Sequence, residues 1–222
     1  EQFGLPVVAI RDLIRYIRTH PISKTTSSSV VREASAKLPT EYGTFDIHVY
    51  RSVLDKREHV ALVLGDIEES MLVRVHSKCL TGDTLGSLMC DCGEQLRMSF
   101  GMIQRAGSGV LLYLDQEGRG IGLTNKIKAY AHQARGLDTV EANHALGFSP
   151  DERDYGIAAD ILRDLKIRDV SLLTNNPKKI RALRLHGIQV VKRVPLETAP
   201  NTTNHRYLST KKRKLGHRLR CV

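Results

Sequence analysis

Apolar and polar residues change period several times along this chain, and each change marks an element. Phe45-Asp-Ile-His-Val-Tyr50 alternates as a half-buried strand does. His59 to Leu64 and Val110 to Leu114 are nearly unbroken apolar runs, the pattern of strands covered on both faces. Met71 to Val75 and Val170 to Thr174 read as further strands, and Ile188 to Val194 as the last. Between them the spacing turns helical. Leu96, Phe100 and Ile103 share one face of a helix over Glu94–Arg105 that Gly107 closes. Leu123 to Arg135 forms a second. Ile157, Ala158, Ile161, Leu162 and Leu165 make the buried stripe of a third. For that helix Ser149 is the expected N-cap, Pro150 the first helical residue and Glu152 the far side of a capping box. Asn176 and Pro177 open a fourth. Strands alternating with helices predict an α/β fold of mixed sheets flanked by helices.

The ends of the chain read differently. Gly4 to Ile10 is a short apolar strand that runs into a helical turn at Arg11 to Tyr16. Ser23 to Ser29 is a polar linker. The expected organisation is an N-terminal segment and linker over 1–30, a main domain over 31–200 and a basic tail over 201–222. The first residue is Glu1 rather than Met, as expected of a fragment of a longer protein. Net charge is +10, which raises nucleic acid as a partner. Residues 201–222 alone hold seven cations and no acid, so the other 200 residues carry only +3. Such a tail is more often solvated, or paired with an acidic partner or phosphates, than a sequence reader. No nucleic-acid partner is expected. Nor is a membrane, because no run of eighteen apolar residues occurs. Four cysteines without a secretory signal predict the reducing cytoplasm and metal binding rather than a disulfide framework.

Candidate chemistry concentrates between Arg74 and Arg119. Cys79, Cys90 and Cys92 lie within fourteen residues, and no fourth ligand is nearby. Three thiolates leave one position of a tetrahedral zinc for water, which suits a catalytic metal. Three buried core cysteines are the competing reading. Gln116-Glu-Gly-Arg-Gly-Ile-Gly122 follows a strand and precedes a helix, where backbone N–H groups can face phosphates. Thr174 at a strand's carboxyl end, a fresh helix start and Lys179 on its first turn make a second anion site, or else an ordinary turn with a surface lysine. Asp151 and Glu152 suit a helix N-terminus electrostatically, but Arg153 does not. Its position there suggests a site role, or a salt bridge to a nearby acid.

Many of these residues recur in one known order. Arg74-Val-His-Ser, Cys79-Leu-Thr-Gly-Asp83, Cys90-Asp-Cys-Gly, Gln116-Glu-Gly-Arg119, Asn125-Lys-Ile, Asp138 to Asn143, Asp151-Glu-Arg153, Thr174 to Lys179, and Tyr207, Thr210 and Gly216-His217 of the tail resemble GTP cyclohydrolase II over about Lys37 to His217. Gly4-Leu-Pro and Asp12 to Tyr16 resemble the end of 3,4-dihydroxy-2-butanone-4-phosphate synthase, which precedes this domain in bifunctional members. The resemblance implies hydrolysis of GTP to a diamino-ribosylamino-pyrimidinone phosphate, formate and pyrophosphate at the start of riboflavin biosynthesis. The alternative is a GTP-binding domain of the same family with reduced or lost turnover.

By the same resemblance, one zinc sits on Cys79, Cys90 and Cys92, and its activated water attacks C8 of guanine. Mg²⁺ accompanies the triphosphate. Arg74, His76, Ser77, Lys78, Gln95, Glu117, Gly118, Arg119, Thr139, Thr174 and Lys179 match nucleotide-contacting positions, with Glu117 reading the guanine edge. Tyr130 matches a tyrosine near the ring chemistry, and Asp151 and Arg153 match a proton acceptor and nucleophile for pyrophosphate release. A guanidinium is a poor nucleophile, so a bidentate phosphate clamp is the easier role for Arg153. A homodimer is also implied, as is a fused synthase domain in the full-length protein. Three positions depart from the pattern: Met89 where arginine is expected, Asp115 where arginine or lysine is common, and Lys78 where glutamate or glutamine is usual.

Overall fold

Four neighbouring parallel strands end at the same edge of one sheet. The structure is a computed structural model that describes Ala9, Ile10, Asp12 and residues 28–68 and 70–222. The strands are β1 (Val30–Thr40), β2 (Gly43–Ser52), β3 (Glu58–Leu64), β4 (Ser70–Ser77), β5 (Gly109–Leu114), β6 (Asp169–Leu173) and β7 (Gln189–Val194). They form one mixed sheet in the order β1-β2-β3-β5-β4-β6-β7. β1 to β3 and the β3–β5 pair are antiparallel, whereas β5, β4, β6 and β7 run parallel. The helices are α1 (Leu80–Asp83), α2 (Cys92–Ala106), α3 (Gly122–Ala134), α4 (Thr139–Ala145), α5 (Gly156–Asp164), α6 (Pro177–Leu185) and α7 (His205–Arg213), with a 3₁₀ turn at Glu117–Gly120. Among the described residues no helix is long and apolar enough to cross a membrane.

The unbroken apolar strands are covered on both faces, as their pattern requires. Val73, Val75, Leu112 and Leu114 pack with Ile157, Ile161, Leu162 and Leu183 of α5 and α6 on one side. Leu111 and Leu173 pack with Ile103, Leu96 and Phe100 of α2 on the other. The chain leaving β4 therefore goes to the α2 face, and the chain leaving β6 goes to the α6 face. Loops that part to opposite faces leave a crevice at the carboxyl ends of the strands.

Three expectations fail. Ser149 N–H does donate to Glu152 Oε1 at 2.8 Å, but no helix starts there; α5 begins at Gly156. Glu152 N–H is drawn instead to Arg119 O at 3.0 Å, so residues 149–155 dock on the 3₁₀ turn rather than coil. Arg153 is thus not in a helix's first turn, and the dipole argument does not apply to it. A full capping box does occur, at Asp138 and Glu141 of α4, which hydrophobic periodicity passed over. The first strand, β1, was passed over too. Nine of its residues, 31–39, are exposed, so it carries no alternation to read. Lastly, the basic tail docks on the main domain, although six of its seven cations stay exposed. Leu208, Thr210, Lys211, Leu215 and Leu219 are buried, most of them on one face of α7 and the coil after it. The readings of residues 1–20 and of the linker fall, apart from Ala9, Ile10, Asp12, Ser28 and Ser29, outside the described residues. Ser29 is tied to the main body by both its N–H and its hydroxyl, which donate to Asp160.

Ile161 of α5 is fully buried against the sheet. Ile161→Ala is expected to cost about 2–5 kcal/mol, from lost transfer energy and the cavity left behind. Urea denaturation measures it, and a loss under about 1 kcal/mol would place Ile161 outside the tightly packed core.

Candidate functional site

Cys79 stands just before α1, Cys90 in the loop after it, and Cys92 on the first turn of α2. Their sulfurs lie within 4.8 Å of one another, with 3.7 Å between Cys79 and Cys90. Two thiolates on a tetrahedral zinc, each ~2.3 Å from it, stand about 3.8 Å apart, so the trio fits this ion. Two glycines permit the geometry. A Cβ on Gly82 would stand 2.7 Å from Cys90 Sγ and 3.2 Å from Cys79 Sγ, and one on Gly93 would stand 2.1 Å from Gly82 O. α1 and α2 therefore meet backbone to backbone, and that contact folds Cys92 in under Cys79.

Asp83 fixes the other side of the loop. Its carboxylate accepts from Cys79 N–H at 2.9 Å, Tyr113 Oη at 2.9 Å and His76 Nε2 at 3.0 Å. Lys126 of α3 donates to Cys79 Sγ at 3.0 Å and Glu117 Oε1 at 2.8 Å. The Cys79 thiol is drawn well below its ordinary value, by hydrogen bonds from Cys90 and Cys92 first and by Lys126 after them. Cys90 is pushed up to about 11 by Cys79.

The wall facing the thiols is cationic. Arg74 donates to Leu173 O at 3.1 Å and to Gln95 Oε1 at 2.8 Å, and burial lowers it to about 10. Lys179 donates to Val75 O at 2.6 Å, and burial, then Arg74 and Arg153, hold it well below its ordinary value. Thr174 Oγ1 accepts from Asn176 N–H, the residue that caps α6. Arg153 and Asp151 form a side-on pair, with Nε–Oδ1 at 2.7 Å and Nη2–Oδ2 at 2.8 Å. Burial, the largest single influence, would raise Asp151, but the hydrogen bonds and charge of Arg153, with Arg119 behind them, together outweigh it and keep the carboxylate ionised. Arg119 sits in a left-handed conformation, φ 63°, directly after Gly118 in the same conformation. Arg74 Nε, Ser77 Oγ and Arg119 Nη2 are buried without a hydrogen-bond partner. Buried donors of this kind carry a penalty until an acceptor arrives.

All but one of the seventeen residues singled out in the sequence line this cleft, which encloses about 1090 Å³ with its open mouth included. The exception, Asp151, reaches it through Arg153. That is room enough for a nucleotide. Several side chains are already engaged. Glu117 accepts from Leu80 N–H at 2.6 Å, Gly118 N–H at 2.9 Å and Lys126, so one of its roughly four acceptor sites remains. His76 is held through both ring nitrogens, by Arg74 and Asp83, and burial keeps it neutral. Tyr130 Oη lies 3.2 Å from Thr81 Oγ1 beside the thiols, and burial keeps it a phenol. Of the three departures, Lys78 and Asp115 pair at 3.1 Å and cancel each other's charge, while Met89 lines the cleft as an apolar residue. Sequence reasoning gave no role to Lys126, Asp83, Asp91, Tyr207, Lys211 or His217. Most of them sit inside motifs read for their neighbours, so their presence there was the available signal.

Fold and site together define an α/β domain whose cleft sets three metal-competent thiols against a wall of cations. Residues 31–195 match the GTP cyclohydrolase II family, and the chain belongs to that family. It is 51% identical over 223 residues to the riboflavin biosynthesis protein RibBA of Chlorobium phaeovibrioides, covering 100% of this chain and 53% of that protein. It is 53% identical to the proteins of the same name from Bacillus cereus, over 99% of this chain and 54% of that one, and from Bacillus subtilis, over 97% and 53%. The chain thus spans about half the length of these relatives.

Because a Cβ at position 82 collides with two sulfurs of the thiol cluster, Gly82→Ala is expected to lower affinity for zinc by at least about tenfold while the sheet stays folded. Cobalt(II) titration, read by thiolate-to-metal absorption, measures it. Unchanged affinity would show that the loop relaxes around the methyl group.

Proposed function

We propose that this domain hydrolyses GTP, releasing formate from the guanine ring and pyrophosphate from the triphosphate, and leaving a 2,5-diamino-6-ribosylamino-pyrimidinone 5′-phosphate. One observation carries the reading: three sulfurs spaced for zinc share a cleft with buried, unpartnered cationic donors. A substrate that needs ring opening at one end and phosphate binding at the other spans both. Bound zinc supplies Lewis-acid activation of water for ring opening. Mg²⁺ comes with the triphosphate as part of the substrate.

The protein's own groups divide the remaining work. Glu117 offers its last acceptor site to the donor edge of guanine, held in place by Lys126 and two backbone N–H groups. Tyr130, a phenol, donates a hydrogen bond beside the ring rather than acting as a base. Arg74, Arg119 and Lys179 bind the phosphates, with Ser77, Lys78, Thr139 and Thr174 placed around them. Arg153, kept charged and oriented side-on by Asp151, clamps the phosphoryl group and stabilises the leaving pyrophosphate. In this reading residues 1–20 are the end of a preceding butanone-phosphate synthase domain, and the protein works as a homodimer in the cytoplasm.

Incubation with GTP, Mg²⁺ and zinc should yield formate, and ATP should react at least about 10²-fold more slowly, because its ring edge mismatches Glu117. Binding of GTP without formate would identify a domain that has lost turnover. Comparable reaction of ATP would remove the guanine assignment. Removing zinc while keeping Mg²⁺ should stop formate release and leave pyrophosphate release in part. Arg153→Ala should instead suppress pyrophosphate by about 10²-fold or more, with incomplete rescue by Arg153→Lys, since a point charge does not replace a fork. Normal pyrophosphate release by Arg153→Ala would return that residue to a structural salt bridge.

A further inference from the structure

Residues 196–222 lie beyond the stretch matched to the family. They nevertheless build a wall of the cleft. Tyr207 and Lys211 of α7, and His217 in the coil after it, all line it. The segment is anchored rather than draped. Leu208, Leu215 and Leu219 are buried beneath it. Arg218 N–H donates to Asn175 O at 2.8 Å, next to Thr174, and His217 N–H donates to Lys211 O at 3.0 Å. Lys214 pairs with Asp138 and, at 2.9 Å, with Glu141, at the start of the helix that opens on Thr139.

We propose that Tyr207, Lys211 and His217 form one wall of the polyphosphate subsite, so that the C-terminal segment is part of the substrate site. The inference rests on the reading of the cleft as a nucleoside triphosphate site, and deepens it. Charge placement is the first argument. The Tyr207 ring has Lys211 Nζ 4.7 Å from its centroid and the Arg119 guanidinium 5.7 Å from it. An aromatic ring between two cations holds them near each other against their repulsion, where an anion can bridge them. Lys211 is itself fixed by Asp91 Oδ1 at 2.6 Å, so it is preorganised rather than free to swing.

His217 supplies the second argument. Among the described residues no group hydrogen-bonds its ring. It faces Lys211 from α7, Arg119 from the 3₁₀ turn, Arg153 from the 149–155 loop and Lys179 from α6; burial first, and these four cations after it, depress its pKa to about 2. A neutral imidazole with a free N–H, lining the cleft among four cations, is a donor available to an anion. A triphosphate matches it by charge and by acceptor count.

The test is calorimetry on the full chain, with inorganic tripolyphosphate, GTP and guanosine as probes. His217→Ala and Lys211→Gln are expected to weaken tripolyphosphate and GTP by about tenfold or more each, the scale of one charge-assisted hydrogen bond, and to leave guanosine unchanged. Tyr207→Leu should weaken the same two probes less. Lys211→Arg, which keeps the cation and its partner, should bind like the parent. If the parent chain binds neither GTP nor tripolyphosphate, the triphosphate reading itself falls. If the parent binds both and the His217 and Lys211 variants bind tripolyphosphate equally well, the wall is overturned. Equal weakening toward guanosine would also overturn it, by showing a structural role alone.

Discussion

The site depends on two helices meeting with nothing but backbone between them. Gly82 and Gly93 approach so closely that a Cβ on the second would overlap the carbonyl of the first. Neither α1, with four residues, nor the loop after it could hold three cysteines in register by propensity alone. The close contact fixes Cys92 on α2 against Cys79 before α1, and α2 in turn is held by Ile103 packed into the sheet. The spacing of the thiol cluster is thus inherited from the core.

From that contact a chain of buried polar groups runs across the cleft. Lys211 bonds Asp91, which accepts from Gln95, which accepts from Arg74; Arg74 donates to His76, which meets Asp83, which holds the Cys79 amide. Each member satisfies its neighbour, and in a low-dielectric interior breaking one link strands the next. The tail, the cysteine loop and the cationic wall are therefore joined by one network. Asp91, between two cysteines, is its hinge point.

Much of this was legible in the sequence because it is written in local periods. The two-sided strands, the helix closed by Gly107 and the Asn176-Pro177 start all follow from side-chain spacing and backbone chemistry. The cysteine spacing and the Gly118-Arg119 turn pointed to the cleft for the same reason. What was not legible is set by contacts distant in sequence. Ser149 to Glu152 has the local signature of a helix start, and Arg119, thirty-odd positions away, takes the backbone N–H that the helix would need. The tail looked solvated by charge count, yet Lys211 finds Asp91 across 120 residues of sequence. Lys78 and Asp115 read as two separate losses of pattern, whereas in space they are one exchange of sign.

The strand that showed no pattern, β1, has its own consequence. An exposed edge strand of eleven residues is a template on which another sheet can grow. Here Glu33 pairs with Arg51 and Lys37 with Asp46 across to β2, Arg32 reaches Asp164, and Pro39 removes a donor near the end. The register shifts between Arg32 and Ala34, which bends the strand away from flatness. Such ion pairs add little to folding stability, since both partners stay hydrated. Their effect is colloidal: a polar, buckled border resists edge-to-edge stacking, so the same lack of pattern that hid the strand from the reader also hides it from its own kind.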